Sequence, residues 1–243
     1  MGSAKTIKYP RRRIVRAVLR FLTGRLVNIL GDLEVQGLEN IPKSGRVILA
    51  ANHFNFVDPP LLLCTSPRMV EFIGGANRPN SPIWSRLIPG MWGFIRAYRG
   101  SFSRSTLRQS LTVLEQDGVL GIFPEGGSWA ALLRPARPGL AFIALHGNAP
   151  VVPISITGAE NLLGGKKSPV KIVFHPPIPA PKSDLTGLQR RREMDAFSKD
   201  IMAVIASGLP DEQRGEHSTD PDARAAAEAV SDFPFDAPEM RGM

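Results

Sequence analysis

The run Val47-Ile48-Leu49-Ala50-Ala51-Asn52-His53-Phe54-Asn55-Phe56-Val57-Asp58-Pro59 decides how the chain folds. A short apolar stretch, Val47 to Ala51, ends in the polar pair Asn52-His53. A carboxylate then precedes a proline whose ring suits the first turn of a helix. The pattern reads as strand, loop, helix, with the loop at the strand's carboxyl end, where open α/β sheets bind their ligands.

The same pattern recurs outward in both directions. Leu33–Gln36, Val70–Gly74, Val119–Phe123, Val151–Thr157 and Val170–His175 are further apolar, often β-branched runs bounded by turn residues. Between them, helical segments are expected near Pro59–Cys64, Pro82–Leu87, Ser103–Asp117, Pro138–Gly147 and Leu188–Ala206. Such alternation predicts a single α/β domain over residues 32–208, with a mixed, largely parallel sheet flanked by helices. Residues 1–31 form a separate basic helix. Residues 209–243 are expected to be a mostly disordered acidic tail, with one short Ala-rich helix near Ala223–Val230.

A chain of 243 residues can bury a core without staples, and its one cysteine, Cys64, excludes an internal disulfide framework. The four histidines lie far apart with no His-Glu-x-x-His pairing, so no metal site is expected. No apolar run is long enough to span a bilayer, and arginines interrupt every hydrophobic stretch up to Arg25, which argues against a signal peptide. A reducing, cytoplasmic setting is the expectation.

The charge is uneven. The tail carries nine acids against three arginines, whereas the rest of the chain is strongly cationic, and no acid precedes Asp32. On a helical wheel Arg12, Arg13, Arg16 and Arg20 share an arc of about 100°, opposite Ile14, Val15, Val18, Leu19, Phe21, Leu22, Leu26 and Ile29. Such a helix either packs on the domain with its arginines in water or lies on an anionic membrane. There each arginine contributes about 1 kcal/mol. Nucleic acid is not expected as a partner, because the basic residues are not interleaved with stacking aromatics and no nucleic-acid-binding signature appears.

Two stretches carry residues suited to chemistry. In the first, His53 bears an imidazole, the side chain suited to taking a proton from a hydroxyl once a carboxylate fixes its tautomer. Asp58, across the turn, can reach back to do so. The spacing fits equally a helix-capping Asp58 beside a loop histidine. In the second, Gly121-Ile122-Phe123-Pro124-Glu125-Gly126-Gly127-Ser128-Trp129, a strand ends at a corner bearing Glu125, which can accept hydrogen bonds from substrate hydroxyls or orient a neighbouring loop, and glycines that admit close backbone approach. Gly126 to Ala130 also approximates a Gly-x-Ser-x-Gly nucleophile elbow, but lacks its last glycine and has its strand too far upstream. Arg96, Arg99, Arg134 and Arg137 are suited to bidentate capture of phosphate.

Taken in order, Asn52-His53 with Asp58, then Gly93 to Arg99-Gly100, then Phe123-Pro124-Glu125-Gly126, then Val152-Pro153-Ile154-Ser155-Ile156, resemble the four motif blocks of the glycerolipid acyltransferase family, typified by bacterial 1-acylglycerol-3-phosphate acyltransferases. The resemblance implies a glycerol-3-phosphate acyltransferase-like fold and an enzyme of phospholipid synthesis. It would move an acyl group from acyl-CoA or acyl carrier protein to the hydroxyl of 1-acylglycerol-3-phosphate, with no cofactor beyond that donor. It implies His53 as general base, Asp58 as its support, and Asn52, Arg99, Glu125, Gly126 and Arg137 as substrate-binding residues. Its partners would be the acyl donor, a lysophospholipid and an anionic membrane, with the protein peripheral on the inner face of the cell membrane. Two positions depart from the pattern. Asn55 replaces a small hydroxyl residue, and Gly127-Ser128 stands where Thr-Arg is usual, an arginine associated with the acceptor's phosphate. Acceptors without phosphate, and a non-catalytic lipid-binding relative, are the alternatives.

Overall fold

The computed structural model describes residues 7–75, 90–97, 103–182 and 184–231. Seven strands form one sheet: β1 (Gly31–Gln36), β2 (Val47–Ala51), β3 (Val70–Gly75), β4 (Ile95–Ala97), β5 (Val119–Ile122), β6 (Val151–Thr157) and β7 (Ser168–Phe174), in the order β1-β7-β6-β2-β5-β3-β4. Every neighbouring pair is parallel except β6 and β7. The expected mixed, largely parallel sheet is therefore present. β4 is not among the strands read from the sequence. The helix expected at Pro82–Leu87 falls outside the described residues.

The helices are α1 (Arg13–Leu30), α2 (Asp58–Thr65), α3 (Arg104–Glu115), α4 (Gly139–Gly147), α5 (Gly187–Ser207) and α6 (Pro221–Ala229). All five residues of β2 are buried, and they alternate between two cores. Val47, Leu49 and Ala51 face a layer with Leu19 and Val27 of α1 and Leu61 and Leu62 of α2. Ile48 and Ala50 face the opposite layer, with Leu114 of α3, Ala144 of α4 and Ile205 of α5. A strand covered on both sides must be apolar throughout, as this one is. Ser103 caps α3, its hydroxyl accepting the Thr106 N–H at 3.1 Å.

Two expectations are overturned. The arginine face of α1 lies only partly in water: Arg12 and Arg13 are exposed, but Arg16 is not. Arg16 is wholly buried, its Nη1 on Glu71 Oε1 and its Nε donating to Trp92 O at 3.0 Å, and Arg11 pairs with Glu71 Oε2 at 2.9 Å. Glu71 has no exposure at all, and a buried carboxylate on β3 demands cations more strongly than the core demands aliphatic residues. The helix is thus rolled with most of its apolar stripe outward: Ile14 is 82%, Phe21 60% and Ile29 72% exposed, with Val18, Leu22 and Leu26 beside them. Only Leu19 and Val27 of its aliphatic residues are buried.

Nor is the tail mostly disordered as far as it is described. Residues 211–217 form two short 3₁₀ turns and α6 follows. Asp211 collects hydrogen bonds from Thr219 N–H, Thr219 Oγ1 and Ser218 Oγ at 3.1, 2.8 and 3.0 Å, a local set of polar contacts that composition does not reveal. The segment clasps the loop after β5. Gln213 O accepts the Leu133 N–H at 2.9 Å, and Val230 O accepts the Trp129 indole N–H at 2.9 Å.

Candidate active site

β2 and β5 are adjacent and parallel, so the loops that leave their carboxyl ends emerge side by side. One carries Asn52 and His53, the other Phe123, Pro124 and Glu125. This is why two motifs separated by some seventy residues meet. Asp58 opens α2 and turns back on the loop before it. Its Oδ2 lies 2.9 Å from His53 Nδ1 and also accepts the N–H groups of Phe54 and Asn55, at 2.9 and 2.8 Å. Asp58 is buried, whereas the imidazole keeps 16% exposure. A carboxylate on Nδ1 places the proton there, which leaves Nε2 as the basic nitrogen. The imidazole lies on the Phe123 ring, with centroids 4.2 Å apart.

Glu125 is buried behind this pair. Its Oε1 accepts the His53 backbone N–H at 2.6 Å, and its Oε2 meets Arg134 Nη2 at 2.8 Å and the Arg134 N–H at 3.2 Å. Burial pushes the Glu125 carboxyl up from its ordinary range and the Arg134 guanidinium down, while each charge opposes the shift of the other. Glu125 therefore touches the loop that carries His53 rather than open space, and of its two readings from sequence these contacts fit the one that orients a neighbouring loop.

Asn52 departs from expectation. It is fully buried, and its amide clamps β2 to β6, Nδ2 donating to Ile156 O at 2.9 Å and Oδ1 accepting the Ile156 N–H at 2.8 Å. Both ends of the amide are used by the backbone, so it has no hydrogen bond left to offer a substrate through that face. Gly126 is exposed and sits at a positive φ of 83°, closing a turn in which its N–H reaches Phe123 O at 3.1 Å. Arg137 is exposed, its backbone N–H on Pro124 O at 2.8 Å and its Cγ 3.4 Å from where a Gly126 Cβ would stand. Arg99 lies outside the described residues. Of the four arginines read together as a phosphate pocket, Arg134 does not belong: its guanidinium is turned inward to Glu125.

Phe123 and Trp129 were not singled out as site residues. Phe123 reads in sequence as the last strand residue, and only the adjacency of β2 and β5 puts it under the imidazole. A serine–histidine contact elsewhere, Ser155 Oγ to His175 Nε2 at 2.8 Å, is a packing contact, since the buried hydroxyl donates to Ile205 O at 2.6 Å. Among the described residues no group of three or more His, Cys, Asp or Glu is arranged to hold a metal ion.

Comparison with known proteins adds an independent line. The model of the Acyltransferase family matches residues 32–157, just over half of the chain. A chloroplastic 1-acyl-sn-glycerol-3-phosphate acyltransferase of Brassica napus is 29% identical over 164 residues, which are 63% of this chain and 46% of the relative, so the chain spans less than half of that protein's length. A 1-acyl-sn-glycerol-3-phosphate acyltransferase of Limnanthes alba is 24% identical over 226 residues, 87% of this chain and 75% of the relative. The crystal structure of the 1-acyl-sn-glycerophosphate acyltransferase of Thermotoga maritima shares the fold, with a TM-score of 0.56 at 24% identity over 82% of this chain and 84% of that one. From β1 to the end of β6 the match encloses the sheet centre, His53, Asp58 and Glu125 alike, and the chain belongs to the acyltransferase family.

Proposed function

We propose that the protein transfers a fatty acyl group from a thioester, acyl-CoA or acyl carrier protein, to the free hydroxyl of 1-acylglycerol-3-phosphate. The observation that carries this reading is the 2.9 Å contact of His53 Nδ1 with buried Asp58 at the carboxyl end of β2, in a chain of this family. His53 Nε2 takes the acceptor's hydroxyl proton as its oxygen attacks the thioester carbonyl carbon. The carbon–sulfur bond then breaks, and the leaving thiolate takes the proton from the imidazolium. General-base assistance of this kind contributes roughly 10²–10⁴-fold. No acyl-enzyme is needed, so no side-chain nucleophile is required. Arg137, exposed beside Gly126, and Arg99 are the cations offered to the acceptor's phosphate.

The exposed stripe of α1 supports a second part of the reading, that the protein works on a membrane surface, where its lipid acceptor resides. No described helix is long and apolar enough to cross a membrane. An unpartnered apolar stripe can instead lie at the headgroup boundary. Arg20 and Arg25 line an open groove of about 450 Å³ beside it, which supplies charge toward anionic lipid. The apolar face makes the contact, while Arg11 and Arg16 are held by Glu71.

The test is a thiol-release assay with a panel of lysolipid acceptors, with and without phosphate, using the full chain and the variant His53→Ala. Release that depends on a phosphate-bearing acceptor and vanishes in the variant is the expected result. Unchanged release in the variant overturns the base assignment, and equal use of acceptors lacking phosphate overturns the acceptor.

A further inference from the structure

We propose that Arg134 is a positioning residue for the acyl transfer, and that Gly127 and Trp129 are there to form its seat. The inference rests on the acyl-transfer reading above and goes beyond it by assigning a role to three residues to which the resemblance gives none.

The argument begins at the His53 peptide. Its N–H ends on Glu125 Oε1 at 2.6 Å, and its carbonyl accepts from Arg134 Nη2 at 3.3 Å. Both polar groups of the residue carrying the base are thus held by one buried ion pair, Glu125 with Arg134. Asp58 fixes the ring, and this pair fixes the backbone from which the ring hangs. A buried carboxylate needs a cation to hold its charge, and Arg134 is the only one recorded on Glu125 among the described residues. The same Nη2 also donates to Gly127 O, which draws the loop after β5 down onto the pair.

Arg134 has two buried nitrogens, Nε and Nη1, without a hydrogen bond. The Trp129 ring covers them, with the guanidinium carbon 3.9 Å from its centroid, so an aromatic face takes the place of water over the cation. That ring fits because residue 127 is glycine. A Cβ there would stand 2.7 Å from the indole, which is closer than real contacts allow. The indole N–H, on Val230 O at 2.9 Å, fixes the ring from the far side. The departure from the usual Thr-Arg therefore has a physical account. Gly127 makes room for an indole, and a guanidinium arrives from Arg134 rather than from position 128. It faces inward, toward the base, instead of outward, toward an acceptor.

The experiment compares Arg134→Gln, Arg134→Lys and Gly127→Thr with the unaltered full chain. Thioester turnover is measured with donor and acceptor each varied, and amide hydrogen exchange at His53 is followed by NMR. Positioning predicts that Arg134→Gln lowers kcat about 10–100-fold, as misplacement of a reacting group by a fraction of an ångström does, with the acceptor KM nearly unchanged. Exchange at the His53 amide accelerates at least about tenfold, as expected when a buried hydrogen bond opens more easily. Arg134→Lys, which keeps the charge but has a shorter reach and no planar guanidinium for the Trp129 ring to cover, recovers part of kcat. Gly127→Thr retains both charges, displaces the indole and shifts kcat in the same direction, which keeps the proposal testable should Arg134→Gln fail to fold. A raised acceptor KM with kcat intact would make Arg134 a substrate ligand and overturn the proposal. So would a lowered melting temperature with kcat per folded molecule and His53 exchange both unchanged. If the unaltered protein consumes no thioester, the proposed function fails by itself, and the exchange comparison still decides whether Arg134 holds His53.

Discussion

At the scale of single residues, Asp58 serves two ends with one oxygen. Oδ2 holds the imidazole and the two amides of the turn, so the carboxylate shapes the loop and sets the tautomer together. Asp58→Asn is expected to keep the fold while losing roughly 10²–10⁴ in turnover, the scale seen when such a carboxylate becomes an amide; thiol release under saturating substrate measures it. Asn52→Ala, in contrast, strips two buried hydrogen bonds between strands. It should cost about 1–3 kcal/mol in a denaturant melt, because Ile156 is left with an unpaired N–H and carbonyl. The histidine–aspartate pair was legible in the sequence through the order of the motif blocks, since its five-residue spacing alone fits a helix cap equally, and for Glu125 the sequence left two roles open. The fate of Asn52 was not legible. A polar residue at a strand end looks the same whether it faces a ligand or a neighbouring loop, and only the order of strands in the sheet distinguishes them.

At the scale of elements, α1 shows how far periodicity reaches. The 3.6-residue pattern located the helix and its two faces, but the usual inference that the apolar face goes inward failed. The decisive term was one carboxylate on another element, Glu71 of β3, which no helical wheel contains. Arg16→Met should therefore destabilise the protein by about 3–5 kcal/mol although it adds an apolar side chain to the interior, since Glu71 would be left short of charge; equilibrium urea unfolding measures it. Replacing Phe21, Leu22 and Ile29 together by serine should leave the unfolding midpoint unchanged and greatly weaken co-sedimentation with vesicles. Each of these side chains contributes about 1.5–3 kcal/mol if fully buried in lipid.

At the scale of the whole molecule, the carboxyl-terminal segment joins the far end of the chain to the loop that carries Glu125 and Arg134. Its anchor, Asp211, has its carboxyl lowered from 3.8 to about 2, chiefly by the Thr219 N–H and hydroxyl, with Ser218 and Arg214 adding to the effect. A carboxylate whose value falls on folding contributes stability that is fully present above pH 3.8 and is lost as the pH drops through about 2. Protection of the amides over residues 211–219, taken as exchange relative to an unstructured chain at the same pH, should accordingly fall on acidification through that window, and Asp211→Asn should show the lower protection already at neutral pH. This clasp was illegible in composition, because acidic, aromatic-poor segments usually stay unfolded, and here a few hydrogen bonds to specific backbone groups override that tendency.

The outward roll of α1 also governs how the protein behaves in a test tube with no lipid present. An apolar flank with no lipid to cover it will seek another like it, so the purified chain should sediment as a concentration-dependent mixture of species. A short-chain detergent below its micellar threshold should collapse that mixture to a single slow boundary, and the serine triple variant should give that boundary with no detergent at all.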